Sequence, residues 1–139
     1  MQHYTIQQLE VGQKASFSKT ITETDVYLFA GITGDINPAH VNQAYAENTL
    51  FKGRIAHGIL SAGLVSAVLG MQLPGPGTIY TGQTLKFLAP VHFGDTITAT
   101  VEVIEKIVEK NRVILKTTCT NQEGKVILDG EATVMPPKA

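Results

Sequence analysis

Between Arg54 and Leu73 runs the longest apolar stretch of the chain, Arg-Ile-Ala-His-Gly-Ile-Leu-Ser-Ala-Gly-Leu-Val-Ser-Ala-Val-Leu-Gly-Met-Gln-Leu, and any fold must bury it. Its uncharged part, Gly58–Leu73, is 16 residues long and includes three Gly, two Ser and a Gln. A membrane span needs about 20 predominantly apolar residues, so this stretch predicts a helix inside a globular core and no membrane partner. Leu73-Pro-Gly-Pro-Gly77 ends it. The cover for such a helix lies downstream. Ile97, Ala99, Val101 and Val103 alternate with Thr96, Thr98, Thr100 and Glu102. Val113, Leu115, Thr117 and Cys119 alternate in the same way with Ile114, Lys116, Thr118 and Thr120. A turn over Asn121-Gln-Glu-Gly124 leads to a last strand carrying Val126, Leu128, Gly130, Ala132 and Val134, which Pro136-Pro137 stops. Strands with one apolar face need something to pack on, and the helix is the one large apolar element that precedes them. The expected fold is therefore α+β, a single domain over residues 1–139 with an antiparallel sheet wrapped around a long central helix.

The N-terminal half reads as an early strand, Ala15–Ile21, followed by a short apolar helix around Val26–Ala30 that ends at Gly31 or Gly34. Thr22 is its N-cap, with Asp25 placed for a capping box. A second helix is predicted from Pro38 to Asn48, and Ile79–Leu88 reads as strand leading into the bend Ala89-Pro-Val-His-Phe-Gly-Asp95. Net charge is −1, and Lys and Arg form no run, which argues against nucleic acid as a partner. The first residues lack the basic-then-apolar layout of a signal peptide. The single Cys119 has no partner for an internal disulfide, so a reducing, cytoplasmic setting is expected. His3, His40, His57 and His92 show no metal-ligand spacing, and no metal is expected.

Acid–base chemistry is concentrated in Phe29-Ala-Gly-Ile-Thr-Gly-Asp-Ile-Asn-Pro-Ala-His-Val-Asn42. On an unbroken helix Asp35 and His40 would stand about 140° apart. Gly34 and Pro38 break the helix, however. Pro38 pushes Asn37 into an extended conformation, and Asn37 and Pro38 then suit the N-cap and first helical position of a new helix. Asp35 in the entering loop and His40 in the first turn can converge on one point. The plain alternative is a turn-forming Asp beside a solvated His. Ala56-His57-Gly58 heads the apolar helix, where free backbone N–H groups and the helix dipole suit a developing oxyanion. Gly58 would let a carbonyl approach closely, or would simply ease packing. Ser61 and Ser66 fit small packing roles, with Ser66 also able to face a pocket. His57 fits either a structural hydrogen bond or a ligand-orienting donor.

Taken together these segments resemble the MaoC-like, hydratase-2 group of (R)-specific enoyl-CoA hydratases in its short single-hotdog form. The resemblance rests on Phe29 to His40, on Ala56-His57-Gly58, and on Leu85-Lys-Phe-Leu-Ala-Pro-Val-His-Phe-Gly-Asp95, in that order and spacing. Ala39 departs from the family pattern, which has a larger aliphatic residue there. The resemblance implies a hotdog fold and a catalytic dyad of Asp35 and His40; Asp35 is read as the base and His40 as the orienting or donating partner, with the reverse assignment left open. It also implies the Gly58 N–H as oxyanion donor, with Asn37, Pro38 and His57 as support. The implied reaction is reversible hydration of a trans-2-enoyl-CoA to a (3R)-3-hydroxyacyl-CoA, in fatty acid or polyhydroxyalkanoate metabolism. Ser66, Leu69 and Val134, as inward-facing positions, are expected to line the acyl pocket. No cofactor is implied, because CoA is part of the substrate. A homodimer with active sites near the interface is implied as well. Lys52 and Arg54 are either phosphate contacts or ordinary surface charges. A (3R)-hydroxyacyl-ACP dehydratase, a hotdog thioesterase and a non-catalytic acyl-CoA-binding module are the competing readings.

Overall fold

The computed structural model describes residues 2–139. A strand β1 (Lys14–Thr20) is followed by helix α1 (Glu23–Thr33), two single-turn helices α2 (Pro38–Val41) and α3 (Gln43–Ala46), and the central helix α4 (Gly58–Met71). Then come β2 (Ile79–Gln83), β3 (Lys86–Phe87), β4 (Thr96–Ile107), β5 (Arg112–Thr120) and β6 (Val126–Met135). The strands form one antiparallel sheet in the order β1-β4-β5-β6-β2, with β3 pairing with β6 beside that path.

The period-2 pattern of the strands decides which face meets α4. Ile97, Ala99, Val101 and Val103 of β4 are all buried, as are Val113, Leu115, Thr117 and Cys119 of β5. The register sets Ala99 opposite Cys119, Val103 opposite Leu115, and Leu115 opposite Ala132, so apolar side chains of three strands share one face. Leu64, Val65, Val68 and Leu69 of α4 fall on one helical stripe and complete this core. Each such Val or Leu contributes on the order of 1.5–3 kcal/mol by leaving water. The sheet thus curls around the helix in the hotdog arrangement that the resemblance implied. At 14 residues α4 is no membrane span, and no helix among the described residues is long and apolar enough to be one.

Local details refine the sequence expectation, and some depart from it. α4 is not covered on all sides, because the sheet curls around one stripe only; Ile59, Gly63 and Ser66 stay exposed on the other. The helix expected from Pro38 to Asn48 is split at Asn42, which has extended backbone and whose side chain caps α3 by accepting from the Tyr45 amide (3.0 Å). α1 takes the later of its two expected ends, with Gly34 in the left-handed region at φ 82° as C-cap. Its start is as read: Thr22 and Asp25 form a reciprocal capping box, and the Thr22 amide holds the Asp25 carboxyl below its ordinary range.

The strand expected over Ile79–Leu88 is likewise divided, with a register shift between Tyr80 and Gly82. The chain between β2 and β3 crosses β6 so closely that a Cβ on Gly130 would lie 1.9 Å from the Thr84 carbonyl oxygen. Backbone cannot be pushed aside as a side chain can. Gly130→Ala is therefore expected to cost about 1–3 kcal/mol or more, seen as a lower urea midpoint at unchanged slope. An unchanged midpoint would mean that the crossing yields freely.

Candidate active site

The site begins where α1 stops. Gly34 turns the chain out of the helix, and the Asp35 amide donates to Thr33 Oγ1 (3.1 Å). Asp35 Oδ1 accepts from the Asn37 amide (3.3 Å), and Asn37 Oδ1 in turn accepts from the Ala39 amide (3.0 Å). Asn37 is extended (φ −51°, ψ 128°), as a residue before proline should be, and Pro38 opens α2. These Asx turns leave the Asp35 carboxylate exposed and His40 half-buried behind it.

Two imidazoles are then fixed by backbone carbonyls. His40 Nδ1 is 2.7 Å from Ile55 O, and His57 Nε2 is 2.9 Å from Asp35 O. A carbonyl only accepts, so each of these nitrogens carries the proton. In the neutral rings His40 Nε2 and His57 Nδ1 therefore hold lone pairs. The His40 and His57 rings stack with centroids 3.9 Å apart, and Phe29 meets His57 at 4.8 Å on a tilt of 52°. His57 is 2% exposed and braces both partners: it holds the backbone of Asp35 and the ring of His40. It is also the N-cap of α4, so its place is set by the core helix.

The pair and the start of α4 together line a cavity of about 560 Å³. Asp35, His40, Gly58, Phe87, Pro90 and Ile127 are among its lining residues, an apolar wall with few polar groups. The first amides of a helix have no acceptor four residues back. Only the Leu60 amide is turned inward, onto His57 O (3.0 Å). A Cβ at Gly58 would come within 2.8 Å of the Phe87 ring, so the bare backbone there keeps that wall open. Two buried side-chain atoms without a hydrogen-bond partner, His57 Nδ1 and Ser61 Oγ, sit on this same turn.

Asp35, His40, Asn37, Pro38, His57 and Gly58 are thus gathered in one place. The acyl-pocket residues are not. Ser66 is exposed on the open face of α4, while Leu69 and Val134 are 1% and 0% exposed within the core. None of the three lines this cavity in the single chain. The reason is helical rise: Ser66 and Leu69 lie about 12–17 Å beyond Gly58 along the axis. Arg54 bonds the side chains of Gln43 and Glu23, and Lys52 is exposed with left-handed backbone at φ 60°. Sequence reasoning passed over three contributors: the Ile55 carbonyl, the Phe29 ring and the Phe87 wall. Phe29 and Phe87 lay inside the quoted motifs, but which ring meets which is a tertiary matter.

Asp35, His40 and His57 are also the one set among the described residues whose ligating atoms gather, within 4.8 Å of one another. His57 Nε2 is already committed to Asp35 O and its Nδ1 is buried, which leaves two donors for an ion, short of the three protein ligands a catalytic zinc takes. The arrangement fits an acid–base pair better. Cys119 is buried, and burial pushes its thiol up to about 12, so it stays protonated.

Fold and site together define a hotdog domain in which an Asp/His loop and a helix N-terminus line one apolar cavity. The chain belongs to the MaoC-like domain family, whose model matches residues 6–125. It is 60% identical over 135 residues to an (R)-specific enoyl-CoA hydratase of Rhodospirillum rubrum, covering 97% of this chain and 92% of that protein. Over 130 residues it is 52% identical to a 3-hydroxybutyryl-CoA dehydratase of Methylorubrum extorquens, covering 94% and 82%. The unliganded R-hydratase PhaJ1 of Pseudomonas aeruginosa superimposes with a TM-score of 0.93 at 52% identity, over 97% of this chain and 86% of that one.

The carbonyl bonds make a direct prediction. In long-range ¹H–¹⁵N spectra the neutral form of His40 is expected to carry its proton on Nδ1, and that of His57 on Nε2. The reverse pattern at either ring would show that the bonds to Ile55 and Asp35 are not made.

Proposed function

We infer that the protein is an (R)-specific enoyl-CoA hydratase, adding water reversibly to a trans-2-enoyl-CoA to give a (3R)-3-hydroxyacyl-CoA. The observation that carries this reading is that Asp35, His40 and Gly58 at the α4 N-terminus line one cavity, with ligating atoms of Asp35 and His40 within 4.8 Å of one another. The names of the close relatives support it. A water between Asp35 and His40 donates one hydrogen to the carboxylate and the other to His40 Nε2, whose lone pair the Ile55 bond leaves free. Asp35 removes a proton as the water oxygen attacks the β-carbon. Charge moves through the double bond to the thioester oxygen, where the Gly58 N–H and the helix dipole stabilise it. The proton on Asp35 then returns to the α-carbon, so one C–O and one C–H bond replace the π bond and one O–H bond. The chemistry calls for no metal or redox group, and CoA is part of the substrate.

The active assembly is proposed to be a homodimer. β2 ends the sheet with one edge unpaired and Ile79 and Tyr80 exposed, and Tyr80 lies near Ile59 and Gly63 on the open face of α4. A second copy meeting this edge around a two-fold axis would pair the edge, cover the bare stripe and bring the mouth of the cavity to the interface. A cytoplasmic location is proposed with it, supported by the lone buried thiol.

Purified protein is expected to remove the enoyl-thioester absorbance of crotonyl-CoA and to yield the (R)-alcohol. Asp35→Asn and His40→Gln should each lower kcat by about 10²–10⁴-fold. Gly58→Ala, by driving a methyl into Phe87, should lower kcat/KM at least about tenfold while the protein stays folded. Light scattering should give twice the 14.9 kDa chain mass. Absence of turnover on short and longer enoyl-CoAs would sink the hydratase reading.

A further inference from the structure

Arg54 makes a hub beside the site. Its Nε donates to Gln43 Oε1 (3.2 Å), one terminal nitrogen to Glu23 Oε2 (2.6 Å) and the other to the Tyr27 hydroxyl. The guanidinium carbon also lies 4.8 Å from the centre of the Phe93 ring and 5.7 Å from that of Tyr27. Glu23 and Tyr27 belong to α1, Gln43 opens α3, and Phe93 lies in the bend before β4. The Asp35 loop and His40 occupy the chain between α1 and α3, so both flanks of the reacting pair are tied to this one side chain. The backbone beside it is tied in as well. Ile55 O accepts from His40 Nδ1 (2.7 Å), Ile55 N donates to Ala39 O (3.2 Å), and Ala56 N donates to Val91 O (2.8 Å).

We propose that Arg54 is a positioning residue, setting the separation of Asp35 and His40 by bracing α1 and α3 against the segment before α4 whose Ile55 carbonyl holds His40. It rests on the hydratase reading for its kinetic consequence, though not for its structural one. The fork geometry is what the role requires. A lysine at this position keeps the charge but offers one tetrahedral nitrogen, which cannot meet Gln43, Glu23 and Tyr27 at once as the fork does. With its three nitrogens engaged and its side chain 18% exposed, the guanidinium is not turned toward a phosphate.

The test compares wild type, Arg54→Lys, Tyr27→Phe and Gln43→Leu on crotonyl-CoA and on crotonyl-N-acetylcysteamine, a thioester without phosphates. Arg54→Lys is expected to lower kcat by about ten- to a hundredfold, with KM within about twofold and the same loss on both substrates. Tyr27→Phe and Gln43→Leu each remove one tie from a solvent-facing partner and should show a smaller loss in kcat at unchanged KM. The His40 Nδ1–H signal should broaden or shift in Arg54→Lys and stay sharp in wild type. An unchanged kcat in a folded Arg54→Lys overturns the proposal. So does a rise in KM seen with the CoA ester alone, which would make Arg54 a phosphate contact. Should Arg54→Lys fail to fold, unchanged kcat in both Tyr27→Phe and Gln43→Leu overturns it equally. A wild type inactive on both thioesters would fail the hydratase reading, while the His40 signal would still decide whether Arg54 positions the ring.

Discussion

Burial of one stripe of α4 inside the curl of the sheet is the constraint on which the rest depends. Leu64, Val65, Val68 and Leu69 lock the helix against β4, β5 and β6, and this fixes where its N-terminus emerges. That end carries His57 as N-cap and Gly58 as first residue, so the core sets the position of the cavity and of the amides that face it. A close-packed interior transmits such placement with little slack. The site inherits the rigidity of the fold.

Against that fixed end the Asp35 loop is held by a small number of directed bonds. His57 donates to Asp35 O and stacks on His40; His40 donates to Ile55 O; Ile55 donates back to Ala39 O. The circuit selects a tautomer in each ring and leaves the His40 lone pair facing the cavity. It also carries a cost. His57 Nδ1 and Ser61 Oγ are buried without partners, and an unpaired buried polar atom opposes folding by about 1–3 kcal/mol. Both lie on the first turn of α4, beside the cavity.

The open stripe of α4 and the free edge of β2 belong to the same story. A sheet that wraps one side of a helix must leave the other side bare, and here that side runs from Ile59 through Gly63 to Ser66, next to an unpaired strand. The run reads as a core helix because it is apolar on nearly every side, and Ile59, Gly63 and Ser66 are the part of it that a neighbouring surface would meet. Ser66 falls on that stripe, which is why its relation to an acyl chain is a question about an assembly and not about one chain.

Much of this was legible in the residues. The central helix, the alternation of β4 and β5, the capping box at Thr22, and the Asn37-Pro38 break that lets Asp35 and His40 converge all arise from local period, φ restriction or capping, which short stretches encode by themselves. Contacts between distant segments were not legible. Nothing near Arg54 announces that its guanidinium would find Glu23, Tyr27, Gln43 and Phe93, and nothing near Ile55 marks its carbonyl as the partner of His40. The split at Asn42 was missed because Pro38 to Asn48 satisfies the helical period, whereas the Asn42 side chain caps a fresh turn instead. The sequence alone determined most of the elements, the fold class and the loop that brings Asp35 and His40 together, because backbone propensity and burial patterning act within a few residues. Only the tertiary structure decided which carbonyl holds which ring and where the cavity opens, because those depend on the distance between segments that packing, and not sequence spacing, sets.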